Sequence, residues 1–240
     1  MEMTSMMGNS GSDVFIPGPG ADLMDGGPGR DTVVYRGDHE KGKGVYVNLL
    51  TGQGRYADAE GDVLKDVETV IGSIYSDILV SGYESSLLKG SDGDDILVST
   101  GGDYLVGGDG NDIYMLAFQR GSVTIDNCAK DNATDVLYLG SGSPLAFDCQ
   151  ILPDRVLLTF FGLNQAVVNI ALEGWISDEY KCGHLVLVFR EAEVSVDRLL
   201  QECQLKQKEE VEIMSHKLSH LYQSCHEQLV HVDDLWNIQF

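Results

Sequence analysis

Seven aspartates in this chain stand at a spacing that could hold a hard cation. Asp13, Asp22 and Asp31 lie nine residues apart. Asp77, Asp95, Asp103 and Asp112 resume the rhythm after an interval, with Ser86 in the place of one acid and the step from Asp95 to Asp103 shortened to eight. Two residues after each of these eight positions comes an apolar side chain: Phe15, Met24, Val33, Leu79, Leu88, Leu97, Leu105 and Tyr114. Shortly before them glycine recurs at 11, 20, 29, 93, 102 and 110, with Tyr75 and Glu84 in the two weaker copies. Calcium takes six to eight oxygens from carboxylates and backbone carbonyls. Repeated aspartates beside glycine turns supply both.

Such residues need elements that bring successive copies together. With the unit numbered one to nine, the acid is at six and the apolar residue at eight. Glycines at one, two and four allow positive φ and hence a tight turn. The triplet at seven to nine, as in Ile78-Leu79-Val80, is too short for a helix and is rich in strand-forming residues. Turn plus strand, repeated, predicts a coil of two units per turn, with position eight pointing inward and seven and nine outward. Loops two units apart would then stack about 4.8 Å from each other. Their carboxylates repel unless a cation lies between them. This places Asp77, Asp95 and Asp112 on one edge and Asp103 on the other, facing Ser86; Asp13 pairs with Asp31, and Asp22 has no clear partner. The strongest site is expected between residues 90–95 and 107–112, where Gly93 and Gly110 both occur. Tyr75 weakens the 77/95 site, and the Ser86/Asp103 site binds poorly or not at all.

The units GGPGRDTVV (26–34) and GGDGNDIYM (107–115) resemble the RTX, or haemolysin-type, calcium-binding nonapeptide. The stretches GVYVNLLTGQG (44–54) and AEGDVLKDVETVIGS (59–73) are similar to segments found between such arrays. The resemblance implies a mainly β fold: a parallel β-roll solenoid over residues 1–118, with repeats at 8–34 and 72–115 and an interval at 35–71. It implies calcium as the cofactor, held by Asp13, Asp22, Asp31, Asp77, Asp95, Asp103 and Asp112 with Gly93 and Gly110 in the loops. An EF-hand does not fit, because the pattern starting at Asp92 fails at Ile96 and Leu97.

Residues 119–192 carry no nonapeptide and read as strands at 122–126, 135–139, 155–161, 166–172 and 184–189, separated by turn-forming stretches such as 140–144 and 162–165. This part, including ALEGW at 171–175, resembles the strand-rich segment that follows RTX arrays, and is expected to cap the open end of the solenoid. Residues 193–240 read as a helical tail, with Ser195 as N-cap. Val211, Met214, Leu218, Leu221 and Cys225 form one apolar stripe at steps of three and four. An amphipathic helix packed on the cap and a helix for a protein partner or self-association both fit that stripe.

Composition narrows the function. A net charge of -22 at pH 7 leaves nothing to neutralise phosphates, so no nucleic-acid partner is expected. With 43% hydrophobic residues the chain can build a core. No run approaches a membrane span, and MEMTSMMGNSG lacks the regions of a signal peptide. The repeat begins almost at once, as expected of a fragment of a longer chain. The five cysteines, at 128, 149, 182, 203 and 225, form no CxxC and are expected to be buried or free thiols rather than a disulfide framework. Asn132-Ala133-Thr134 is a glycosylation acceptor in form only.

No enzyme is expected. His226-Glu227 and His231 miss the HExxH spacing, His216 and His220 are read as solvent-facing, and neither G-x-S-x-G nor a phosphate loop occurs. The functional reading is calcium binding that drives folding of an extracellular, secreted module. The tail at 233–240 is only a weak match to an export signal, and the cysteines depart from the resemblance. Alternatives are an accessory region of a larger secreted enzyme or toxin, and an adhesion or partner-binding protein.

Overall fold

The nonapeptide rhythm becomes two facing sheets. The computed structural model describes residues 3–38, 41–117, 121–139, 146–161, 167–173, 185–189, 192–196, 198–199 and 201. The front sheet runs in the order Ser5–Met7, Leu23–Asp25, Val63–Lys65, Gln53–Arg55, Tyr46–Asn48, Ile78–Val80, Ile96–Ser99, Ile113–Leu116, Asp135–Tyr138, Leu185–Phe189 and Ala192–Ser195. The back sheet runs Val14–Phe15, Thr32–Val34, Thr69–Ile71, Leu87–Asp92, Asp103–Asp109, Gly121–Asp126, Val167–Glu173, Arg155–Phe161 and Ala146–Ile151. Alternate units fall on opposite sheets, as a coil of two units per turn requires.

Register follows the repeat. Leu97 pairs in parallel with Leu79 on one side and Tyr114 on the other, while Leu88 pairs with Leu105 on the back sheet. Position eight fills the space between the sheets. Met24, Val33, Leu79, Leu88, Leu97, Leu105 and Tyr114 are all fully buried, and Phe15 nearly so. Full burial of one such side chain contributes about 1.5–3 kcal/mol, so the ladder of identical positions is the main source of cohesion.

The interval joins the two arrays into one stack. Tyr46–Asn48 and Gln53–Arg55 make an antiparallel pair within the front sheet, and Thr69–Ile71 links the back-sheet strands Thr32–Val34 and Leu87–Asp92. Parallel pairing also continues beyond the last repeat. Gly121–Asp126 adds to Asp103–Asp109, and Asp135–Tyr138 adds to Ile113–Leu116. Antiparallel strands then finish each sheet: Arg155–Phe161 and Ala146–Ile151 at the back, Ala192–Ser195 at the front. The two outermost of these, Ala146–Ile151 and Ala192–Ser195, are absent from the sequence-based expectation.

Residues 193–195, expected in the helical tail, are strand, because the hairpin onto Leu185–Phe189 takes them first. Ser195 Oγ does accept the Arg198 N–H at 3.4 Å, and Val196, Arg198, Leu199 and Gln201 are helical. The stripe from Val211 to Cys225, the four histidines at 216–231, the tail 233–240 and the expected turns at 140–144 and 162–165 lie outside the described residues. Cys128 is disulfide-bonded, which corrects the expectation of buried or free thiols at that position. No helix among the described residues is long and apolar enough to cross a membrane.

Candidate metal sites

The position-six aspartates stack as the coil predicts, and each reaches one coil back. Asp95 Oδ1 accepts the Asp77 N–H at 2.7 Å, and Asp112 Oδ1 accepts the Asp95 N–H at 2.9 Å. In the first array Asp31 Oδ1 accepts the Asp13 N–H at 2.8 Å. One oxygen of Asp31, Asp95 and Asp112 therefore closes the loop of the preceding coil, and the second oxygen defines the site.

For Asp13, Asp31, Asp95 and Asp112 that second oxygen is buried and receives no hydrogen bond. An anionic oxygen out of water without a donor is costly. Its surroundings show what it faces. A methyl placed on Gly8, at position one, would lie 2.5 Å from Asp13 Oδ2 and 2.6 Å from the Gly26 carbonyl oxygen one coil on. The same cradle recurs at Gly90, between Asp95 Oδ2 and the Gly107 carbonyl, at Gly26, between Asp31 Oδ2 and the Asp66 carbonyl, and at Gly72, between Asp77 Oδ2 and the Gly90 carbonyl, whereas at Gly107 Asp112 Oδ2 is met by the Tyr114 hydroxyl. Carboxylate and carbonyl thus converge where only glycine leaves room. Carboxylate and carbonyl oxygens are the donor types that calcium takes, so the chemistry of the cradle fits it. No group of three His, Cys, Asp or Glu side chains that could hold a metal exists among the described residues. Any cation here would depend on backbone carbonyls.

Electrostatics point the same way. Burial pushes the Asp95 carboxyl up to about 9, with the negative neighbours Asp77, Asp112 and Asp94 adding to it. Asp112 rises to about 8, again through burial first and then Asp135, Asp131 and Asp94. A dry row of carboxylates resists full ionisation without a counter-charge.

Residues 5–35, 71–103 and 98–117 match the family model described as the RTX calcium-binding nonapeptide repeat, in four copies. The chain carries RTX calcium-binding repeats. No curated protein matches the chain. The RTX unit is a calcium-binding structural repeat, not a catalytic one.

Within the RTX array the remaining aspartates sit differently. Asp103 Oδ2 accepts from Ser81 Oγ at 2.8 Å, Ser99 Oγ at 2.6 Å, and the Thr100 and Gly101 N–H groups at 3.1 Å each, while Oδ1 accepts the Ser86 N–H. Asp77 accepts from Ser73 through both its N–H and its hydroxyl, and Oδ1 also takes the Val45 N–H. Asp22 has the partner that spacing alone did not reveal. Its N–H donates to Asp62 Oδ1 at 2.7 Å, and its own Oδ1 takes the Thr4 N–H. Gly93 and Gly110 stack directly: both hold positive φ, and a methyl on Gly110 would lie 2.6 Å from the Gly93 carbonyl carbon. Tyr75, at the position of a turn glycine, lies under Gly93 through its backbone.

Three acids in these columns escaped the repeat count. Asp62 accepts from Asp22, Glu68 Oε2 accepts the Asp31 N–H at 2.9 Å, and Asp135 Oδ1 accepts the Asp112 N–H at 2.8 Å. All three head an acid-x-apolar triplet, Asp62-Val63-Leu64, Glu68-Thr69-Val70 and Asp135-Val136-Leu137. That triplet was the available signal; the missing glycine turns hid it. Asp62 Oδ2 takes the Tyr35 hydroxyl at 2.9 Å, and Asp135 Oδ2 takes the Asn127 amide at 2.8 Å.

Proposed function

We propose that this chain is a non-catalytic calcium-binding module whose roll closes when calcium meets the bare oxygens of Asp13, Asp31, Asp95 and Asp112. The observation that carries this reading is the set of four buried carboxylate oxygens without a donor. A bound cation would neutralise those oxygens and relieve the repulsion within each column. The chain's own residues do the rest. Asp Oδ1 ties adjacent coils together, and the stacked glycines let the coils approach. Position-eight side chains bury the core once the strands pair. Because the ligands come from successive coils, binding and folding share one free energy.

The same geometry supports a narrower ligand set than the seven aspartates of the repeat. Asp77 and Asp103 have their oxygens occupied by protein donors, so we assign them to holding coils together. Residues beyond the parallel stack, with their antiparallel strands, serve as its cap. The module works outside the cell in this reading. Extracellular calcium modules bind at about 10⁻⁴–10⁻³ M, and the Cys128 disulfide suits an oxidising compartment.

Calcium titration of the full chain tests this, with circular dichroism and calorimetry as readouts. β signal should rise with calcium and fall on adding EDTA, and Asp95→Asn should bind fewer ions than the parent. A spectrum and melting point indifferent to EDTA would overturn the reading.

A further inference from the structure

The chain contains three Asp-Gly pairs, Asp25-Gly26, Asp92-Gly93 and Asp109-Gly110. All of them lie in the loops of acids with a bare oxygen. Gly26 forms the cradle of Asp31, and Gly93 and Gly110 stand two residues before Asp95 and Asp112. Asp-Gly is prone to a backbone rearrangement. The glycine nitrogen attacks the carboxyl carbon of the aspartate side chain, water leaves, and a succinimide ring forms. Water then re-enters at either ring carbonyl. One outcome restores aspartate; the other is isoaspartate, in which the main chain runs through the side-chain methylene. Nothing is oxidised or reduced, and water is the only co-reactant. Glycine favours the attack because no side chain obstructs its nitrogen and its backbone turns freely.

In the folded roll every one of these nitrogens is held. The Gly26 N–H donates to the Lys65 carbonyl at 3.0 Å and the Gly93 N–H to the Asp109 carbonyl at 2.8 Å. The Gly110 N–H donates to Asp131 Oδ2 at 2.7 Å. Two of the carboxyls are held as well: Asp25 Oδ2 accepts from Lys65 Nζ at 2.8 Å, and Asp109 Oδ1 accepts the Lys130 N–H at 2.7 Å. Each partner belongs to another coil, so the restraint lasts only while the coils stack. Asp92 also pairs in register with Asp109, which sets two of the reactive bonds against each other. We propose that Asp25, Asp92 and Asp109 are sites of isoaspartate formation that calcium keeps closed. This rests on the calcium-coupled folding proposed above. Without calcium the coils part, the nitrogens are released and the rearrangement proceeds. Its product adds one atom to the main chain of a loop whose register places the next acid, so the isomerised loop does not restack. A chain left without calcium thereby loses its response to calcium irreversibly. Asp92 is exposed, and its carboxyl accepts no hydrogen bond from a described residue, so it reacts first.

Ageing the full chain for weeks at neutral pH, with calcium in one sample and EDTA in the other, provides the test. Isoaspartate is counted by enzymatic methylation of its free carboxyl and located by mass spectrometry of peptides. It should accumulate at residues 92, 109 and 25 severalfold faster in EDTA than in calcium. Calcium added back to the EDTA sample should restore less β signal in circular dichroism the longer the sample has aged. The variant Asp25→Glu/Asp92→Glu/Asp109→Glu would have to close a larger, slower-forming ring, and should keep its recovery. Equal isoaspartate in the two samples, or none at these positions, overturns the proposal. So does a variant that folds with calcium when fresh and then loses recovery as fast as the parent. If the variant does not fold, the isoaspartate count in the parent decides alone. A fresh parent whose β signal survives EDTA would overturn the calcium-folding reading and this proposal with it. A signal that EDTA removes without isoaspartate following would overturn this proposal alone.

Discussion

The two edges of the second array solve one problem in opposite ways. On the edge of Asp95 and Asp112, each carboxylate gives one oxygen to the backbone of the preceding coil and leaves the other buried and bare. On the edge of Asp103, the second oxygen is met by two serine hydroxyls and two backbone N–H groups. The coil geometry is the same, and the strand pairing is parallel on both sides. Hydrogen-bond donors meet on one edge the oxygen that stays bare on the other. In the proposed reading the bare edge relies on an external ion, while the other carries its neutralising groups in its own sequence.

Removing calcium should produce the largest difference between the edges. A ligand at 100 times its dissociation constant stabilises the folded state by about 2.7 kcal/mol per site. Four such sites, one for each bare oxygen, would contribute on the order of 10 kcal/mol, comparable with the whole stability of a domain. EDTA should therefore abolish the cooperative unfolding transition of the parent. Urea unfolding followed by tryptophan fluorescence, at 10 mM calcium and in EDTA, measures this. Equal midpoints would erase the distinction between the edges.

Point substitutions sharpen the comparison on a smaller scale. Asp103→Ala strands several buried donors at once. It should cost about 3 kcal/mol, with the loss seen at saturating calcium and no change in the number of ions bound. Asp95→Asn keeps the oxygen that accepts from Asp77 and puts an amide in place of the bare one. It should remove one site, about 2.7 kcal/mol at 100 times the dissociation constant, and leave the calcium-free protein no less stable. If Asp103→Ala lowers the stoichiometry, or Asp95→Asn does not, the division fails.

Much of this was legible in a period of nine. The aspartate at six and the apolar residue at eight fix which side chains meet across coils, so the pairing of Asp95 with Asp112 and the inward ladder through Leu97 follow from arithmetic. What satisfies each carboxylate was not legible. Ser81 lies 22 residues from Asp103, and Tyr35 lies 27 from Asp62. Those distances are set by the coil and the interval, not by the unit. Asp62 and Asp135 were obscured for a related reason. Their loops lack the glycine pattern, and only neighbours already in the stack hold them in register. That Val80, Val98 and Met115, which point outward at position nine of the front sheet, would be buried was not legible either, because apolar residues there read equally well as strand formers.

The smallest effect concerns protons. Asp95 and Asp112 are held up at about 9 and about 8, against an ordinary carboxyl near 3.8, chiefly by burial. A raised carboxyl favours the folded state most when protonated. The calcium-free fold therefore has its full contribution from these groups below about pH 4 and loses it as pH rises towards 8–9. Calcium needs the ionised form, so binding at neutral pH must expel protons, and affinity must climb over the same window. Calorimetry at pH 7 in two buffers of different ionisation enthalpy should give different apparent heats for the parent. The difference should shrink in Asp95→Asn, which has one fewer proton to lose, and stay unchanged in Ser99→Ala on the opposite edge. Identical heats in both buffers would mean that the bare oxygens are already ionised without the ion, and the edges would then differ in hydrogen bonding but not in charge.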